Sequence, residues 1–127
     1  MTLTDGSRTY SISDVATETG LTTSTLRYYE DAGLMREEVD RASSNHRRYT
    51  PEMVGWVSFI TKLRSTGMPI RDIRRYAELV RSGDDTTAER LELLLAHRER
   101  VLAQFAEAQR SLAAINIKID TYERLCA

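Results

Sequence analysis

From Thr86 or Thr87 to Ala127 the chain contains neither glycine nor proline, so nothing in this run of about forty residues interrupts a helix. With Leu91 at position a of a seven-residue repeat, the a positions are Leu91, Arg98, Phe105, Leu112, Ile119 and Cys126, and the d positions are Leu94, Val101, Ala108, Ile115 and Tyr122. Ten of these eleven residues are apolar, which makes one continuous stripe along the helix. A helix of this kind reaches roughly 55 Å. The rest of the chain is too short to cover that length, so the stripe calls for a second helix: a dimeric coiled coil seamed by Leu91, Leu94, Val101, Phe105, Leu112, Ile115 and Ile119. Folding back onto the head is the competing arrangement. Arg98 at an a position either fixes register, snorkels outward, or marks a pocket for an apolar ligand between tail and head.

Upstream, Ser11 and Asp14 have the spacing of a capping box and Gly20 suits a left-handed helix end, which predicts a first helix between them. Thr22 then caps a second helix running to about Asp31, with Leu26 and Tyr29 facing inward and Gly33 stopping it. Two short helices around a tight glycine-containing turn form a helix-turn-helix, whose second helix enters the major groove of DNA. Between Met35 and Tyr49 the pattern becomes polar. Glu37-Glu38-Val39 and Arg47-Arg48-Tyr49 flank a turn at Ser43-Ser44-Asn45, which predicts a small β-hairpin wing. Thr50-Pro51-Glu52 opens a third helix with the stripe Met53, Val54, Val57, Ile60 and Leu63. A fourth runs from Pro69 to Gly83, lined by Ile70, Ile73, Tyr76, Ala77 and Val80. The expected fold is mainly α: a winged helix-turn-helix head over residues 1–83, followed by a coiled-coil dimerisation helix over 84–127.

On the second helix the positions not used for packing are Thr23, Ser24, Thr25, Arg27 and Tyr28. Hydroxyls, a guanidinium and a phenol are groups that reach base edges and phosphates, and no acid intrudes before Glu30. Tyr28 and Tyr29 point about 100° apart on a helix, so Tyr29 is expected in the core and Tyr28 outside it. In the wing, His46, Arg47, Arg48 and Tyr49 alternate between two faces, one able to meet the DNA backbone and the other to pack on the head.

The net charge of −1 argues against a polyanion-binding protein until its distribution is considered. Residues 1–76 carry eleven Lys and Arg against ten Asp and Glu, while residues 77–127 carry seven against nine. The basic residues bunch at Arg41, Arg47 and Arg48 and at Lys62, Arg64, Arg71, Arg74 and Arg75. A local DNA contact strengthened by dimerisation fits this asymmetry. No run of about 18 apolar residues is long enough to span a bilayer, and Met1 to Ser7 lacks the character of a secretory signal, so a cytoplasmic protein without membrane contact is expected. Cys126 is the single cysteine, and His46 and His97 stand far apart, so neither a metal site nor another cofactor is expected. There is no glycine-rich phosphate loop and no Ser, His and Asp constellation, which argues against an enzyme.

The chain resembles the MerR family (the mercury-resistance-regulator type) of bacterial transcription regulators. The resemblance rests on Tyr10-Ser11-Ile12, on Thr25-Leu26-Arg27-Tyr28-Tyr29-Glu30-Asp31-Ala32-Gly33-Leu34, on Asn45-His46-Arg47-Arg48-Tyr49, and on Leu63-Arg64-Ser65-Thr66-Gly67-Met68-Pro69-Ile70. It implies that Ser24, Thr25, Arg27 and Tyr28 contact groove and backbone, that Arg47 and Tyr49 are wing contacts to phosphate, and that Arg71 is a second backbone clamp. It also implies an antiparallel homodimer on double-stranded promoter DNA, which would bend and untwist an over-long spacer for RNA polymerase, with a small-molecule effector left unidentified. The match is to short family members without an appended effector domain. Lys62 stands where some short members carry a sensing cysteine, so that chemistry is not expected, and Cys126 is read as a passive cysteine, with thiol sensing as the alternative. The runner-up function is a protein-binding adaptor built on the same winged helix, which would bind promoter DNA no better than random DNA.

Overall fold

In the computed structural model, which describes residues 9–37, 40–41 and 47–127, helix α1 (Ile12–Thr19) opens with the expected capping box. The Asp14 amide donates to Ser11 Oγ at 3.1 Å, and the Ser11 amide donates to Asp14 Oδ2 at 3.2 Å. Gly20 closes the helix at φ +76°, a backbone region where a side chain would be strained. Helix α2 (Thr23–Asp31) follows, with Thr22 Oγ1 accepting from the Thr25 amide at 3.1 Å. The two helices pack on each other, and α1 packs on α3 as well.

Two short strands, β1 (Asp40–Arg41) and β2 (Arg47–Arg48), pair antiparallel with Asp40 opposite Arg48 and Arg41 opposite Arg47. Asp40–Arg41 is the paired segment of the first strand among the described residues, directly after the Glu37-Glu38-Val39 segment expected to flank the turn. Glu38, Val39 and the turn Ser43-Ser44-Asn45 lie outside the described residues.

Helix α3 (Pro51–Ser65) begins at Thr50, whose hydroxyl accepts from the Met53 amide at 3.2 Å. The reciprocal acceptor is the Met53 sulfur, 3.4 Å from the Thr50 amide. Its buried face is Met53, Trp56, Val57, Ile60 and Leu63. Trp56 takes the inward place the sequence suggests for Val54, which is half-buried, because at 100° per residue Trp56 falls within the arc shared by Met53, Val57, Ile60 and Leu63 and Val54 falls outside it. Helix α4 (Ile70–Arg81) buries Ile73, Ala77 and Leu79, with Ile70, Tyr76 and Val80 half-buried. Tyr76 stacks flat on Trp56, ring centroids 5.5 Å apart and 2° from parallel. Val15, Leu26, Tyr29, Leu34, Tyr49, Val57, Ile60 and Ile73 form the innermost layer, each at most 1% exposed. Burying one such aliphatic side chain contributes roughly 1.5–3 kcal/mol.

A 3₁₀ turn at Asp84–Thr86 leads into α5 (Thr87–Cys126), a 40-residue helix about 60 Å long. The turn is fixed by Thr86 Oγ1, which donates to the Leu79 carbonyl at 2.6 Å, and by Arg90 Nη2, which donates to the Gly83 carbonyl at 3.1 Å. The chain divides into two compact units, Met1–Leu91 and Glu92–Ala127. In the second unit Phe105, Leu112, Ile115 and Ile119 are 47–60% exposed, while Val101 and Leu94 are half-buried. His97 is the one buried side chain of α5. No helix among the described residues is long and apolar enough to cross a membrane.

Candidate nucleic-acid interface

Helix α2 separates its residues cleanly. Leu26 and Tyr29 are 1% exposed and anchor the helix in the head. The Tyr29 hydroxyl meets Thr61 Oγ1 at 3.0 Å, and Thr61 donates its only proton to the Val57 carbonyl at 2.8 Å, so Tyr29 is the donor of the first bond. Ser24, Arg27 and Tyr28 are exposed on the other face, with Tyr28 at 41%. Thr23 and Thr25 are half-buried, and Thr25 Oγ1 accepts from the Thr22 hydroxyl at 3.0 Å. Of the five expected groove residues, three are freely presented and two sit at the rim of the packed surface.

The wing is rooted on α1 and α2. Tyr10 and Tyr49 form a reciprocal bridge, with amide-to-carbonyl distances of 2.7 and 2.8 Å. Arg48 is exposed and its Nη1 donates to Thr9 Oγ1 at 3.3 Å. Tyr49 is the correction here. The family resemblance implies a phosphate contact for its side chain, yet it is fully buried and its hydroxyl donates to Glu30 Oε2. The alternation along β2 sends Arg48 outward and turns the next residue inward, where its phenol ties the strand to the end of α2. Arg47 stands in β2 opposite Arg41, and His46 lies outside the described residues.

Between α2 and the wing the chain turns a corner at residues 32–35, and side chains from α3 and α4 hold each of its carbonyls. Trp56 Nε1 donates to Leu34 O at 2.8 Å, Arg74 Nε to Ala32 O at 2.7 Å, and Arg81 Nη1 to Met35 O and, at 3.4 Å, to Gly33 O. Gly33 itself has φ +76°. The sequence had grouped Arg74 and Arg75 with a basic surface bunch. Arg74 instead completes this corner, and Arg75 pairs with Glu89 at 3.3 Å and Glu78 at 3.9 Å. Nothing in a one-dimensional pattern separates a cation aimed at solvent from one aimed at a carbonyl. Arg71 remains at the surface, its side chain 84% exposed and 4.0 Å from Asp72, a separation at which an exposed pair contributes little.

Residues 10–79 match the family model described as "MerR HTH family regulatory protein", and residues 54–116 match one described as "MerR, DNA binding". The chain belongs to the MerR family. As a MerR-family chain it is a helix-turn-helix transcriptional regulator, and its relatives agree. It is 36% identical to an uncharacterized HTH-type transcriptional regulator of Haemophilus influenzae, over 91% of this chain and 85% of that one. Among solved structures it is similar to HiNmlR, described as a MerR family regulator lacking the sensor domain, bound to promoter DNA. The TM-score is 0.84 at 36% identity, covering 92% of each chain. A putative MerR family regulator from Listeria monocytogenes gives the same TM-score at 30% identity, covering 90% of this chain and 86% of that one. These likenesses support the MerR fold, a winged helix-turn-helix head with a long C-terminal helix.

Proposed function

We propose that this regulator binds double-stranded promoter DNA as a homodimer, each copy placing α2 in a major groove. The observation that carries the proposal is the division of α2: Leu26 and Tyr29 lock it to the head while Ser24, Arg27 and Tyr28 face out. The similarity to HiNmlR, a regulator bound to promoter DNA, supports it. In this reading Thr23 and Thr25 line the groove edge, Arg47, Arg48 and His46 belong to a wing lying along the backbone, and the exposed Arg71 clamps a second backbone segment. Residues 1–83 bind DNA and residues 84–127 hold the two copies together through Leu91, Leu94, Val101, Phe105, Leu112, Ile115 and Ile119.

Twin heads on one helical face of DNA sit about 34–36 Å apart or at a multiple of that spacing. Clamps on both sides of the central spacer can sustain bending and untwisting that cost on the order of 1–10 kcal/mol. Distortion of that kind, presented to RNA polymerase, is the proposed means of control, and the protein works in the cytoplasm without catalysing a reaction. Footprinting on the region upstream of its own gene, with a distortion-sensitive probe at two salt concentrations, tests the proposal. A symmetric footprint is expected, and Arg27→Ala should abolish it while light scattering still reports a dimer. Parental affinity in Arg27→Ala would remove α2 from the groove.

A further inference from the structure

The segment that joins α2 to the wing has its amides and its carbonyls tied to different parts of the head. The amides fold back on α2: Ala32 donates to the Tyr28 carbonyl at 2.8 Å, Gly33 to that of Glu30 at 3.3 Å and Leu34 to that of Tyr29 at 3.0 Å. The carbonyls accept from α3 and α4, and those of Gly33 and Met35 share a single donor, Arg81 Nη1. Met35 is the point where the chain leaves the core for β1, buried itself and followed by the exposed Arg36 and Glu37.

Arg81 works from a fixed base. It closes α4, and the exit of that helix is held by the Ser82 amide, which donates to the Glu78 carbonyl at 3.0 Å, by Thr86 Oγ1, which donates to the Leu79 carbonyl at 2.6 Å, and by Arg90 Nη2, which donates to the Gly83 carbonyl at 3.1 Å. The Arg81 side chain adds little to the core, because it is exposed and the corner borders an open cleft of about 250 Å³ lined by Glu30, Gly33, Met35, Glu37 and Arg81. Water in that cleft can take up the two carbonyls when the guanidinium is removed, so little folding stability depends on it. What it restricts is direction. Two carbonyls two residues apart converge on one nitrogen, which closes the backbone between them into a single bend and sets the path by which β1 departs.

We propose that Arg81 is a positioning residue for DNA binding: by holding the Gly33 and Met35 carbonyls it fixes the wing relative to α2, so that groove and backbone contacts meet the duplex together. The inference rests on the DNA-binding function proposed above, and it gives Arg81 no contact with DNA. Two contact elements held in advance at the spacing the duplex requires spare the complex the entropy of ordering them. A hydrogen bond from a charged donor is strong enough to account for roughly a tenfold change in affinity for each head, or about a hundredfold for a two-headed complex.

The test is a double-mutant cycle on the full chain, with affinity for a duplex from upstream of its own gene read by anisotropy and a thermal melt taken of each protein. One protein carries Arg81→Met, a second carries Arg47→Ala together with Arg48→Ala in the wing, and a third carries all three changes. Arg81→Met alone is expected to weaken binding about a hundredfold while melting close to the parent. On the substituted wing the same change should weaken binding by no more than about twofold, because the element it aims has already lost its contacts. An equal loss in both backgrounds overturns the proposal, since Arg81 would then act on DNA directly or on the whole head. Parental affinity in Arg81→Met overturns it as well, and so does a substituted wing that binds as tightly as the parent, which would leave α2 in the groove with no wing to aim. If Arg81→Met fails to melt cooperatively, Arg81→Lys, which keeps a donor on a shorter reach, carries the same cycle and is judged by the same comparison of backgrounds. A parent protein that does not prefer the upstream duplex to a random one of equal length, with Arg27→Ala indistinguishable from it, would overturn the DNA-binding reading itself, and this inference with it.

Discussion

In the unit Met1–Leu91 the apolar residues of the helices turn inward and meet one another, as Leu26, Ile60 and Ile73 do at 1% exposure or less. In Glu92–Ala127 they turn outward, and Phe105, Leu112, Ile115 and Ile119 remain about half exposed. The first unit also satisfies its helix ends locally, with side-chain caps at Ser11, Thr22 and Thr50. The second relies on regular helix and on surface pairs such as Arg110 with Glu107 and Arg124 with Asp120, each worth a few tenths of a kcal/mol at most. A head with its own core can fold alone, whereas an amphipathic helix of this length draws most of its stability from whatever covers its stripe. The head therefore answers to its own interior, and the long helix, in the dimer proposed above, to a second copy of the chain.

The contrast can be broken most forcefully in the stripe. Ile115→Glu would bury a charge at each of two symmetry-related places in the proposed dimer, at roughly 3–5 kcal/mol per uncompensated charge. Light scattering should then report a monomer whose head retains its cooperative melt. A persistent dimer would mean that the stripe is not the seam. In the head, Ile60→Ala should cost about 2–5 kcal/mol in urea unfolding, since a fully buried side chain leaves a cavity. Subunit exchange between intact dimers should be unaffected; faster exchange would show the two units to be coupled. The smallest effect is expected at a cap: Ser11→Ala should remove about 1 kcal/mol from the head and nothing from the dimer, measured by the same unfolding curves.

Much of this was legible in the sequence because the signals were local. Caps at Ser11, Thr22 and Thr50, the stop at Gly20 and the long uninterrupted helix all depend on residues within a few positions of one another, and each was found where expected. The inward Tyr29 and outward Tyr28 followed from helical geometry alone. What was missed depends on partners far along the chain. Tyr49 carries the same phenol whether it faces a phosphate or Glu30, and only the pairing of its strand with Tyr10 decides which. Arg74 looks as basic as its neighbours until α4 is laid beside the corner it serves.

The corner at residues 32–35 also bears on the order in which the chain can reach its final shape. Its four carbonyls accept from Trp56, Arg74 and Arg81, donors 22 to 48 positions further along. A chain that ends at α2 has none of these donors, so the bend cannot be fastened until α3 and α4 are present. Fastening this corner thus depends on contacts that closely spaced residues cannot supply, the kind that slows folding.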